Sequence, residues 1–343
     1  MSEEKKLSSD QNIFMKNLYW WGIPTLFGCP HDEDVNACDI ALVGVPHSTG
    51  NGTTERDQHL GPRAVRNVSK SYRRAHGKFQ IVPWEECRIH DLGDVLMPHA
   101  MVNDITVVDI ENYYKQLDEA GVRPVSIGGD HSITGPILKA LGGPDAKLSG
   151  GQKIAMVHFD AHTDTMDHLP HWLGAERSAA HWGSYVATEG HVDPEKSIQI
   201  GIRGHTRTLT WKRTSDRLGY RMVDMDTFRE IGVEGTVKAL RERVGDMPVY
   251  ITFDLDCLDP TVAPAVSNLE PGCSGFTMDE AVGILQGMQG LNVIGADVVC
   301  MIPSKDSPNQ ITAFSATAIM FEQISLIADA IRTQREKETA DDS

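Results

Sequence analysis

Along this chain, short runs of Val, Ile, Ala and Leu alternate with longer stretches in which apolar residues return every three or four positions. Ile40 to Pro46, Val122 to Gly128, Lys153 to Asp160, Ser197 to Arg203, Arg221 to Asp226, Val249 to Asp256 and Asn292 to Val299 are of the first kind. Runs apolar on both faces are the pattern of strands buried inside a parallel sheet. Asp104 to Ala120, Ser132 to Leu141, Thr236 to Val244, Thr277 to Met288 and Gln310 to Arg332 are of the second kind and predict helices. Thr277 with Glu280 three places on supplies one of them with a capping box. The alternation predicts an α/β fold, a three-layer, doubly wound parallel sheet with its ligands beyond the carboxyl ends of the strands. No repeat and no Pro/Gly/Ser-rich linker divides the chain, so one domain is expected over 38 to 332, with an extension at 1 to 37 and a charged tail at 333 to 343.

Three of the apolar runs end in metal-type side chains. Gly-Gly-Asp-His-Ser stands at 128 to 132, Asp-Ala-His-Thr-Asp at 160 to 164 and Asp-Leu-Asp at 254 to 256. A single Asp-x-Asp or a lone His is ordinarily a solvated loop or a satisfied core group. Here the sheet would bring His131, Asp160, His162, Asp164, Asp254 and Asp256 to one edge, where four carboxylates repel unless cations sit among them. Imidazole and carboxylate suit manganese, nickel, cobalt or zinc better than a thiolate-bound structural zinc. Six ligands suit two ions sharing carboxylates at roughly 3.5 to 4 Å, with room for a bridging hydroxide whose parent water has its pKa brought down to about 7.

These segments resemble those of the ureohydrolases, the family of arginases, agmatinases and related amidinohydrolases. The resemblance extends to Ser/Thr-Phe-Asp-x-Asp-Cys-Leu-Asp-Pro around 252 to 260, Gly-Val-Pro at 44 to 46 and Gly-Pro-Arg-Ala-Val-Arg at 61 to 66, and covers about 38 to 331. It implies an arginase-like fold, two divalent ions per chain held by the six residues above, and hydrolysis of a guanidino carbon–nitrogen bond by a metal-bridging hydroxide. Asp164 then counts with the catalytic groups as well as the ligands. A loop His protonates the leaving amine in this family, and His181, followed by Trp182 and Gly183, resembles that position, with His168 and His171 as rivals. An unperturbed imidazole pKa near 6.5 suits the task.

The departures from the family bear on the substrate. Where agmatinases and arginases carry Val-Glu-Val-x-Pro, whose Glu grips the guanidinium, this chain has Val298, Val299, Cys300, Met301, Ile302 and Pro303. A buried guanidinium without an acceptor is costly. Glu270 is the carboxylate that could replace the missing one, and Cys300, Met301 and Met166, with His171 at the rim, would make a softer pocket suited to alkyl groups. This implies the branch acting on guanidine, alkylated guanidines and biguanides, metformin hydrolases included, which is associated with nickel more than manganese and pairs related chains in hexamers. The ligand set alone accepts either metal. An agmatinase or guanidino-acid hydrolase releasing urea is the alternative within the family. A deacetylase of related fold would need one zinc and not the full ligand set, and a non-catalytic metal-binding subunit of a hetero-oligomer is the alternative of another class.

Composition excludes more than it adds. The 343 residues carry a formal net charge of −16, from 48 acidic and 32 basic side chains. That excludes a phosphate-binding surface, hence nucleic acid, and fits a small cationic partner. No secretory signal or membrane span is evident, so a cytoplasmic protein is expected. The cysteines at 29, 38, 87, 257, 273 and 300 have no paired spacing and read as buried, reduced thiols.

Overall fold

The computed structural model describes residues 15, 18, 20–51, 57–205, 210–272 and 274–341. Its strands are β1 (Ile40–Val45), β2 (Ile89–Asp94), β3 (Arg123–Gly128), β4 (Ala155–Phe159), β5 (Ile198–Ile200), β6 (Arg221–Val223), β7 (Val249–Asp254) and β8 (Val293–Val299). They form one sheet in the order β2-β1-β3-β8-β7-β4-β5-β6, and every pairing is parallel. β3, β4, β7 and β8 are buried at every position, as the continuous apolar runs require.

Helices cover both faces. Isolated parallel strands bury neither side without them. One face carries α1 (Gly61–Ser69), α5 (Met225–Val244), α6 (Met278–Gln286) and α7 (Ile311–Asp341), the other α2 (Asn103–Ala120), α3 (Thr134–Leu141) and α4 (Trp182–Thr188). The capping box at the start of α6 is formed in both directions between Thr277 and Glu280.

The strand order places the chemistry. After β3 the chain skips two positions before laying down β4, and β7 and β8 later fill the gap. Register pairs Ile127 with Val298, Phe253 with Val298 and Phe159 with Phe253. The ends of β3, β4 and β7, which carry the three ligand segments, therefore lie level on one edge at the point where strand order reverses.

Several elements differ from those expected, among them β5, which spans only Ile198–Ile200 of the run expected over Ser197 to Arg203. β2 was missed because Asp91, Gly93 and Asp94 break its apolar run, yet Asp91 is buried and accepts from Arg66 Nε and Nη2 at 2.9 Å each and from the Leu26 amide at 2.8 Å. β6 stops at Val223 because Asp224 turns the chain into α5, accepting from the Thr227 amide at 3.0 Å. α5 starts at Met225 and not at Thr236, the pattern being broken by a kink at Gly232 (φ 66°, ψ −170°). α7 runs through the expected charged tail to Asp341, with 334–340 exposed. Its apolar part is long enough to cross a membrane, but its most apolar window is 83% buried in the fold, as a core helix would be.

Asp91→Ala should destabilise the protein by about 3 kcal/mol, because it leaves the largely buried Arg66 guanidinium with only the more exposed Asp94 carboxylate, at 2.6 Å, and the Leu26 amide without its acceptor. Chemical denaturation measures this. A loss below about 1 kcal/mol would show that the pair does not anchor the β2 edge.

Candidate metal centre and active site

Each ligand segment leaves its strand through a turn that the chain itself pins. Asp254 Oδ1 accepts from the Asp256 amide at 2.9 Å and Asp160 Oδ1 from the His162 amide at 2.6 Å, so each turn aims two functional side chains at one point. Asp130 plays the same part before His131. Its Oδ1 accepts from the Ser132 amide at 2.9 Å and its Oδ2 from the amides of Gly50 and Asn51 at 2.8 and 2.9 Å, tying a distant loop to the site. Asp164 takes a left-handed conformation, φ 48°, that turns its carboxylate inward.

All six expected ligands converge, in two groups that share Asp160. His131 Nδ1 lies 3.0 Å from Asp160 Oδ2, 3.0 Å from Asp164 Oδ2 and 3.2 Å from Asp254 Oδ2. His162 Nδ1 lies 3.3 Å from Asp160 Oδ1 and 3.1 Å from Asp256 Oδ2. One oxygen of Asp160 thus faces each imidazole, as a carboxylate bridging two ions would. Although ringed by carboxylates, His131 Nδ1 makes no hydrogen bond, and neither does Asp256 Oδ2, while both are buried. Donors on one ion at about 2.0 to 2.2 Å stand about 3 Å apart, so these orphaned atoms and their spacing fit a pair of divalent cations.

The tautomers fit as well. Thr252 Oγ1 donates to Asp297 Oδ1 at 2.7 Å, so it can only accept from His131 Nε2 at 2.9 Å. With its proton on Nε2, His131 presents a bare Nδ1 lone pair to the centre. Asp297 is fixed in turn by the hydroxyls of Thr134 and Tyr250, each at 2.9 Å. Glu270 Oε1 sits 3.2 Å from His162 Nε2 and does the same for that ring. Glu270 fits there because residue 204 is glycine; a Cβ on Gly204 would stand 2.3 Å from its Oε2.

The titration directions follow from crowding and burial of like charges. Burial and the Asp254 carboxylate push Asp256 well above the usual carboxylate range, and burial with the Asp160 charge raises Asp164. Burial works against protonating His131 and His162, yet the surrounding carboxylates outweigh it and raise both.

Sequence reasoning missed the residues behind the ligands. His158 Nε2 bonds Asp160 Oδ2 at 2.8 Å, and Trp182 Nε1 donates to Asp164 Oδ2 at 2.9 Å while its ring packs 4.8 Å from that of His131. A polar residue inside an apolar strand was the available signal, in His158, Thr252 and Asp297. Among the other expected site residues, Cys300 is buried with its sulfur within 4.8 Å of donor atoms of His131 and Asp254. Met166 is half-buried in the following loop, joined to Ala180 and Ser184. His181 is buried, its Nδ1 2.8 Å from Ser178 Oγ and its Nε2 donating to the Leu169 carbonyl at 2.8 Å. His168 and His171 are exposed, and His171 bonds only the Gly174 amide of its own turn, at 3.4 Å.

Comparison with known proteins agrees with this geometry. Residues 38–325 match the Arginase family. Guanidinopropionase of Pseudomonas aeruginosa is 38% identical over 317 residues, covering 90% of this chain and 93% of the relative. Agmatinase of Neisseria meningitidis is 34% identical over 323 residues, covering 93% and 95%. The solved proclavaminate amidino hydrolase from Streptomyces clavuligerus superposes with a TM-score of 0.82 at 31% identity, covering 91% of this chain and 99% of that one. The chain belongs to the Arginase family. It is a hydrolase of carbon–nitrogen bonds in linear amidines, with a site for divalent metal.

Thr252→Val should lower metal affinity by about 10- to 100-fold with the fold retained, because it removes the acceptor that holds His131 in its ligating tautomer. Metal content after dialysis against a weak chelator measures it. Unchanged retention would show that His131 is oriented by packing against Trp182 alone.

Proposed function

We propose that this chain hydrolyses a guanidino compound whose bulk beside Cys300 is neutral or alkylated, an alkylated guanidine or a biguanide such as metformin, which would give guanylurea and dimethylamine. The observation that carries the reading is the thiol at 300, at the end of β8, where the family's guanidinium-gripping carboxylate stands. Glu270 does not restore that carboxylate freely, since His162 holds it and lowers its pKa by hydrogen bonding. A second reading is favoured by the relatives: guanidinopropionase and agmatinase carry names that imply a guanidino acid and agmatine, released as urea.

When bound, two divalent cations supply Lewis acidity and a water-derived nucleophile at neutral pH. Nickel is our preferred pair, with manganese the alternative. His131, Asp160, Asp164 and Asp254 would hold one ion, and Asp160, His162 and Asp256 the other. Asp164, steadied by the Trp182 indole, would count with the catalytic groups as well as the ligands. For the leaving amine we favour His181. As an imidazolium its Nδ1–H would donate to Ser178 Oγ, and release of the Leu169 carbonyl would free Nε2–H for the amine, leaving a neutral ring that takes a proton back from solvent.

The setting is read in the same way. Cys29, Cys38, Cys87, Cys257 and Cys300 are free and buried, which supports a reducing, cytoplasmic location; Cys273 lies outside the described residues. Met101, Val102, Ile105 and Val108 expose an apolar row at and before the start of α2, which supports assembly, a homo- or hetero-hexamer being our proposal. Light scattering that returned a monomer would remove it.

The test is a substrate panel on purified, metal-loaded protein, alone and mixed with any related subunit. Metformin and dimethylguanidine should exceed agmatine and 3-guanidinopropionate in kcat/KM by at least tenfold, and His181→Ala should lower kcat on the best substrate by about 10² to 10⁴ with metal content unchanged. Preference for 3-guanidinopropionate would establish the second reading. Absence of turnover in every mixture would leave a metal-binding subunit only.

A further inference from the structure

Cys300 is more than an absent glutamate. Its backbone is left-handed, φ 71°, and is fixed on both sides: its amide donates to the Gly129 carbonyl at 2.8 Å and its carbonyl accepts from the Ser267 amide at 3.0 Å. Non-glycine residues rarely adopt this conformation. The ends of β3 and β8 thereby set where the side chain starts. The sulfur lies within 4.8 Å of a His131 ring nitrogen and an Asp254 oxygen, and all three residues are buried. A nitrogen and a sulfur on opposite sides of one ion stand about 4.4 Å apart, from bonds of about 2.1 and 2.3 Å. The independent observation is His131 itself. Its side chain is 1% exposed, and its Nδ1 has no hydrogen-bond partner and is aimed into the same space.

We propose that the Cys300 sulfur is a further donor to the ion held by His131 and Asp254, making that half of the centre a mixed nitrogen, oxygen and sulfur site. Coordination breaks the S–H bond, forms the sulfur–metal bond and releases the proton to solvent. Thiolate favours nickel, cobalt or zinc over manganese, which keeps to oxygen and imidazole. The two halves of the centre then differ in kind, since His162, Asp160 and Asp256 offer only nitrogen and oxygen. This inference rests on the reading of a binuclear centre and deepens it by naming the class of metal.

The experiment uses full-length protein loaded with nickel, and separately with cobalt, with metal content measured in each sample. X-ray absorption at the nickel edge of the unmodified protein should find a sulfur neighbour at about 2.3 Å. The cobalt form should show a sulfur-to-metal charge-transfer band. Both should vanish in Cys300→Ser, which should still bind two ions but hold nickel at least tenfold more weakly while its manganese affinity changes less than threefold. Two ions per chain with only nitrogen and oxygen neighbours in the unmodified protein would overturn the assignment and leave the binuclear reading standing. Fewer than two ions in the unmodified protein would overturn both. The edge measurement on unmodified protein decides the matter even where the serine variant does not fold.

Discussion

Mutual repulsion among buried carboxylates is the constraint around which this molecule is arranged. Asp160, Asp164, Asp254 and Asp256 converge at one sheet edge. Pairs within 4.8 Å repel by about 3 to 4 kcal/mol each at an effective dielectric of about 20. Relief comes from the imidazoles of His131, His158 and His162 and, on our account, from two divalent cations. The strand order is what makes this crowding unavoidable, because filling the gap between β3 and β4 with β7 and β8 sets the three acidic segments level.

Two imidazoles separate the carboxylates, and each is backed by an acceptor on its far nitrogen. Thr252, itself committed to Asp297, holds His131; Glu270 holds His162. The backing differs in depth. Asp297 is fully buried under three hydroxyl donors, whereas Glu270 is half-buried on a loop beside Gly204. The His131 half is therefore a rigid seat and the His162 half an adjustable one. That asymmetry places Cys300 with the rigid half.

Much of this was legible in the sequence, for a physical reason. Buried parallel strands need continuous apolar runs, so the sheet and the acidic segments closing three of its strands could be read directly, and the six candidate side chains lie together at one edge. What could not be read depends on tertiary partners. β2 looked like a loop because Asp91 is acceptable inside the fold only through Arg66, a residue on another element. Asp297 carries no motif, and Thr252, although it opens the motif at 252 to 260, gives no sign in sequence of which ring it orients. Trp182, which in sequence only separates His181 from Gly183, donates to the Asp164 carboxylate. The end of α7 was read as a solvated tail because its charged run is exposed, yet Arg, Glu and Lys are good helix formers and the helix needs no packing there.

The measurement that bears most directly on the central claim is calorimetric titration of chelator-stripped protein with nickel or manganese, paired with thermal unfolding at each point. The account predicts uptake of two ions per chain, release of protons as the buried carboxyls and imidazoles give them up, and a rising Tm, since a ligand at about a thousand times its Kd stabilises by about 4 kcal/mol. Uptake of a single ion, or of none, with Tm unchanged would contradict it.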